Sequence, residues 1–206
     1  GCATFSDDGG FTNVQSLTKE RTGHDVTWVR SETEAQTAAA TIKELLQQPL
    51  TAETAVTIAL LNNKGLQANY AELGISEADL VQAGRLRNPT FTFSRLTRGS
   101  ELEYERTFTL PILNLFTMPL ATKIETRRFE QTQMRAASNA LRIVDETRRA
   151  YYAAIAASET ITYMEQVNDA AQAGAELAKR MAQAGNWSTL RQAQEQTFYA
   201  EATAQL

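Results

Sequence analysis

Between Pro119 and Gly185 the chain has no further proline and, before its end, a single glycine, Gly174. Ala, Glu, Gln, Arg, Leu and Met dominate this run, and these residues hold a helix most readily. One helix over the ~65 residues, at about 1.5 Å each, is a rod on the order of 100 Å long. A compact domain of about this chain's size has a radius of gyration under ~20 Å, so such a rod cannot fold inside one. It must be half of a coiled coil or a strut in a larger assembly.

The apolar pattern agrees. Met164, Val167, Ala171, Gly174, Ala178, Met181 and Gly185 step by three and four. Ala137, Leu141, Val144, Arg148, Tyr151, Ile155 and Ser158 do the same with polar interruptions. A sustained three-four alternation is a heptad seam. This one is poor in Leu and rich in Ala, Ser and Gly. Small residues let helix axes approach closely but bury little area per chain, so an oligomer is expected.

The 206 residues carry a net charge of −4 and are 43% hydrophobic, a mildly acidic balance that argues against nucleic acid as a partner. No apolar run approaches the ~20 residues of a transmembrane helix. The single cysteine, Cys2, allows no intrachain disulfide. The single histidine, His24, leaves a histidine metal site or a Ser-His-Asp triad almost nothing to draw on, and it reads as an ordinary solvated side chain. No cofactor is implied. Gly1-Cys2 before a small residue and a polar tract is what lipoprotein signal cleavage leaves, so Cys2 is a candidate lipid attachment site. The plain alternative is a boundary that happens to fall at a cysteine.

Residues 1–31, rich in Gly, Ser, Thr and Asp, read as an extended leader without a core of its own, lying along another surface. Residues 32–88 read as short helices. Ser31 with Glu32 and Glu34 opens one that ends near Gln48, before Pro49. Thr51-Ala52-Glu53 opens the next, Asn62-Asn63-Lys64-Gly65 interrupts, and a further helix runs to Gly84. In residues 89–111 the period changes to two. Thr90 to Thr97 and Glu101 to Leu110 alternate around an Arg98-Gly99-Ser100 turn, a β-hairpin whose arms have the 9 to 11 residues of a tilted barrel strand. One face offers Phe91, Phe93, Leu102, Tyr104, Phe108 and Leu110, the candidate lipid-facing set; the other offers Thr and Glu. Two strands cannot close a barrel, so a membrane reading demands strands from elsewhere. Residues 112–206 begin with an apolar elbow between Pro111 and Pro119. The long helix follows, then a turn at Ala184 to Ser188 and a return helix from Thr189 to Leu206. The return helix looks cut off in mid-element, and the fold class is mainly α: a very long antiparallel helical hairpin of coiled-coil type preceded by short helices and one β-hairpin.

This order of elements resembles the TolC family of outer-membrane efflux proteins, particularly its lipid-anchored members. Ala55 to Asn63 (AVTIALLNN), Leu66-Gln67-Ala68, Ala71 to Leu86 (AELGISEADLVQAGRL) and Asn88-Pro89 carry the resemblance, with the turn Ala184 to Leu190 beside them. It covers residues 31 to 206. It implies two repeats per protomer, of which this chain supplies the first, and a homotrimer forming one barrel in the outer membrane and one helical tunnel across the periplasm of a Gram-negative bacterium. It also implies passive conduction. A periplasmic adaptor would grip Gly185, Asn186, Trp187, Ser188, Thr189 and Leu190, and an inner-membrane pump would supply the energy. Many members carry an Asp where this chain has Arg191, which bears on which adaptor docks. Without the resemblance, the same residues are an αα-turn with a capping serine.

Enzyme readings have little to stand on. Asp145-Glu146 lie one turn from Arg148-Arg149, the usual pattern of solvated ion pairs, and Glu159 sits further along the same helix. Met118, Met134, Met164 and Met181 are spread along the rod and read as gap-filling rather than soft-metal ligands. Asn186-Trp187-Ser188 matches a glycosylation sequon at low information content. The serious rival is a periplasmic coiled-coil structural or interaction module without channel activity. The hairpin discriminates, because a coiled-coil scaffold has no need of long alternating strands.

Overall fold

The computed structural model describes residues 4–206, so Cys2 lies outside the described residues. The protein is mainly helical. The element order is α1 (Phe11–Thr22), α2 (Glu32–Leu45), α3 (Ala52–Asn62), α4 (Lys64–Ala83), β1 (Thr90–Arg98), β2 (Glu101–Thr109), α5 (Leu113–Gln183) and α6 (Thr189–Gln205). The chain divides into two units, one up to Thr147 and the other Arg148–Leu206.

In the first unit the helix starts follow from local chemistry. Ser31 accepts from the Glu34 N–H while the Glu34 carboxylate accepts from the Arg30 and Ser31 N–H groups, a complete capping box. Thr51 and Thr54 make the reciprocal pair at the head of α3. Asn63 alone separates α3 from α4, its Oδ1 accepting from the Leu66 N–H at 2.9 Å.

The core corrects the reading of residues 1–31 as an extended leader. Phe11–Thr22 form helix α1, and Phe11, Val14 and Val26 are buried with Val56, Leu60, Leu66, Tyr70 and Leu73. Ala136, Ala137, Ala140 and Val144 of α5 close that core from the other side. The Phe11 ring meets Tyr70 edge-on, with centroids 4.8 Å apart. Buried polar groups tie the segment down as well. Gln133 donates to the Gly10 carbonyl at 3.0 Å, and Ser6 donates through both its N–H and its hydroxyl to Glu77. The Gln67 amide bridges the Thr27 carbonyl and the Val29 N–H, 2.9 Å each, so residues 27–29 are held as a strand's edge would be. His24, expected to be solvated, is only 13% exposed at its side chain and meets Glu53 at 2.7 Å.

The long helix begins earlier than Pro119 suggests. Its first N–H groups bond tightly at i−3, Asn114 to the Pro111 carbonyl and Leu115 to Ile112, each 3.1 Å. Pro119 then sits inside the helix as its seventh residue. The missing proline N–H deprives only the Leu115 carbonyl, on an exposed residue near the helix end where water can replace it. The apolar elbow is therefore the opening of α5.

In the second unit, Met164, Val167, Ala171, Gly174, Ala178 and Met181 form the covered face of α5, as the heptad spacing predicts, with Ala175 beside them. Helix α6 returns along this face. Thr203 donates to the Asn168 carboxamide at 2.9 Å, and a Cβ at Gly174 would lie 3.4 Å from the Glu195 carboxylate. Ile155 and Ser158 of the predicted seam have no cover within the chain: residues 152–163 of α5 are all exposed.

Candidate functional surfaces

The hairpin is the first surface. β1 and β2 pair antiparallel from Thr90↔Thr109 to Arg98↔Glu101, leaving Gly99 and Ser100 as a two-residue turn. Gly99 has φ 63 while no described non-glycine residue has positive φ, the pattern of a type II′ turn that matches strand twist. This register fixes the faces. Phe91↔Phe108, Phe93↔Arg106, Arg95↔Tyr104 and Thr97↔Leu102 share one, and Phe93 stacks on Tyr104 with centroids 5.9 Å apart. Thr90, Thr92, Ser94, Glu101, Glu103, Glu105, Thr107 and Thr109 share the other, with Leu96 among them. The expected apolar set is thus on one face, and Leu110 follows β2 in the same alternation. Arg106 keeps the phase with Tyr104 and Phe108 that the alternation assigns it, while two features escaped the sequence reading: Arg95 lies among the aromatics, and Leu96 lies among the polar residues. Phe91, Phe93, Leu102, Tyr104 and Phe108 are each more than half exposed. A free two-stranded hairpin is marginally stable in water, so this face calls for cover.

The tip is the second surface. The Asn186 N–H donates to the Met181 carbonyl at 2.9 Å and the Gly185 N–H to Ala182 at 3.0 Å, the paired bonds of a Schellman motif. Gly185 supplies the left-handed residue at φ 80. Three residues on, Ser188 caps α6 by accepting from the Arg191 N–H at 3.3 Å. Arg191 lies over the Trp187 ring, 5.9 Å from its centroid. Gly185, Asn186, Ser188, Thr189 and Leu190 are exposed and Trp187 is half-buried, so the predicted contact residues form one turn with Leu190 standing clear of it.

The third surface, at the β2–α5 junction, was legible only as an apolar elbow. Leu113, Phe116, Leu120 and Ile124 step by three, four and four along α5 and are exposed. Beside them is a cleft of about 490 Å³ whose lining includes Asp79, Arg85, Arg87, Asn114, Glu125 and Arg128. Helical spacing, with a corrected start for α5, would have shown the stripe; the cleft depends on how α4 packs on α5.

No described helix is long and apolar enough to cross a membrane, a statement about helices and not about strands. Among the described residues no group of three or more His, Cys, Asp or Glu is placed to hold a metal ion. Comparisons with protein-family models, curated proteins and solved structures return no match to this chain.

Proposed function

We propose that the chain is part of a TolC-like, lipid-anchored outer-membrane efflux component, a passive conduit from periplasm to exterior. In this reading the hairpin contributes two strands to a barrel closed by other copies or repeats. The aromatic face meets lipid, and the Thr, Ser and Glu face meets a water-filled lumen. The Gly185–Leu190 turn docks a periplasmic adaptor, beyond which an inner-membrane pump supplies the energy. Cys2 carries the anchor and the assembled protein is a homotrimer. The chain itself performs no bond chemistry. The observation that carries the reading is the pairing of two nine-residue strands, apolar and exposed on one face and polar on the other, with a 71-residue helix that turns back on itself.

Arg106 favours the rival reading, a periplasmic coiled-coil module. It faces Phe93 at mid-strand on the aromatic side. An arginine facing lipid at the bilayer midplane costs about 2–4 kcal/mol. The conduit reading requires its long stem to carry the charge toward the interface or a carboxylate from another strand to meet it.

The test is to express the gene with its own signal sequence, purify the protein from the outer-membrane fraction and add it to a planar bilayer. Discrete conductance steps, abolished by Phe91→Asp with Phe108→Asp, are expected. A protein that fractionates with the soluble periplasm and conducts nothing overturns the reading in favour of the module.

A further inference from the structure

The β2–α5 junction joins two features that neither the barrel strands nor the tip uses. The first is the stripe of Leu113, Phe116, Leu120 and Ile124, exposed by 80, 78, 63 and 45%. No charged residue occurs from Leu110 to Thr122, and exposed Leu110 and Ile112 carry the apolar surface back toward the hairpin. The second is the adjoining cleft, about a quarter turn round the helix by its 3.6-residue period. One wall is Asn114, Glu125 and Arg128 of α5, and the other is the end of α4 with Arg85 and Arg87. The Thr122 hydroxyl, which donates to the Met118 carbonyl at 2.9 Å, also lies 3.3 Å from the Ala83 carbonyl at the end of α4. Glu125 is taken by Arg128 at 2.7 Å. The Arg85 and Arg87 guanidinium groups make no hydrogen bond or ion pair among the described residues, and Asp79 is the one carboxylate left in the lining to oppose them.

We propose that this junction binds anionic phospholipid, with acyl chains along the stripe and the headgroup phosphate on Arg85 and Arg87. Charge complementarity selects this occupant. A free anion would use the cleft and leave the stripe wet. A second copy presenting the same face would cover the stripe but set arginines against arginines. A phospholipid carries hydrocarbon and phosphate side by side, at the spacing of neighbouring surfaces on one helix, and guanidinium forks match phosphate oxygens. The inference deepens the conduit reading by naming what the protein grips at the membrane edge. It also outlives failure of that reading, because a peripheral site needs no closed barrel.

The test floats the full chain with vesicles of phosphatidylcholine alone and with vesicles in which part is replaced by phosphatidylglycerol. The wild type is expected to bind both and to prefer the anionic vesicles. Arg85→Gln with Arg87→Gln should weaken binding to the anionic vesicles roughly 30-fold, the share of two basic residues at a charged surface, and leave phosphatidylcholine binding unchanged. Phe116→Asn with Leu120→Asn should weaken binding to both. All four side chains are exposed, so circular dichroism should show the fold retained in each variant. Phe91→Asp with Phe108→Asp should leave the anionic preference in place, which separates this site from the conduit. An anionic preference untouched by the arginine variant overturns the proposal. So does calorimetric binding of inorganic phosphate without vesicle binding, or a dimer lost on Phe116→Asn in a protein that ignores vesicles.

Discussion

Asp8 holds the entry to α1. Its carboxylate accepts from the Thr12 N–H at 2.7 Å and from the Gly10 N–H at 3.0 Å. Hydrogen bonds from Thr12 are the main cause of a pKa lowered from 3.8 to about 2, with the Gly10 N–H adding to them. A carboxylate whose folded pKa lies below its unfolded value stabilises the fold above the unfolded pKa. That contribution fades as pH falls from about 3.8 through about 2. Discounted for solvent screening, it is on the order of 1 kcal/mol. Asp8→Asn should therefore lower stability at neutral pH by about that amount and flatten the loss between those two pH values, read by denaturant titration across pH. Asp8 was legible as one polar residue among many. Its capping role was not, because it depends on α1 existing.

Among the elements, those with local signals were legible and those made by distant contacts were not. Ser31 and Thr51 announce α2 and α3 through caps that act within three residues, and the hairpin's register follows from Gly99 and strict alternation. α1 is the contrary case. Phe11, Val14 and Leu17 carry a helical spacing, but Thr, Asn, Ser and Gly around them give it no propensity. What holds it is Tyr70 and, more than 120 residues on, Gln133 and the small-residue face of α5. Pro119 misled for a different reason. Proline disrupts a helix through a lost hydrogen bond and a clash, and near a frayed, tightly wound end both consequences shrink. The turn into α6 is local again. Gly185→Ala meets no neighbour within 4 Å, so its cost is backbone strain alone at φ 80. It should destabilise the second unit by about 1–2 kcal/mol, with Gly185→Asn milder, seen as faster amide exchange in α6.

For the whole molecule, the sequence carried the order of elements from α2 onward, the mainly helical class and the residues of the hairpin and the tip. It did not carry Arg95 within the aromatic face or the cleft at that face's base. Arg95 and Arg106 alternate in phase with the aromatics of their own strands, and the register adds that they stand opposite Tyr104 and Phe93. Much apolar surface is left open: the aromatic face, the junction stripe and residues 152–163 of α5. The conduit account assigns these to lipid and to neighbouring helices, and its central claim is that the hairpin crosses a membrane with its aromatic face outward. The direct measurement places single nitroxide labels along positions 90–109 of the membrane-reconstituted protein and reads collision with oxygen against a water-soluble relaxant. The account predicts a period of two, with Phe91, Phe93, Leu102, Tyr104 and Phe108 reached by oxygen. Thr92, Ser94, Glu103, Glu105 and Thr107 should be reached from water. Uniform access of the water-soluble relaxant to both faces would contradict it.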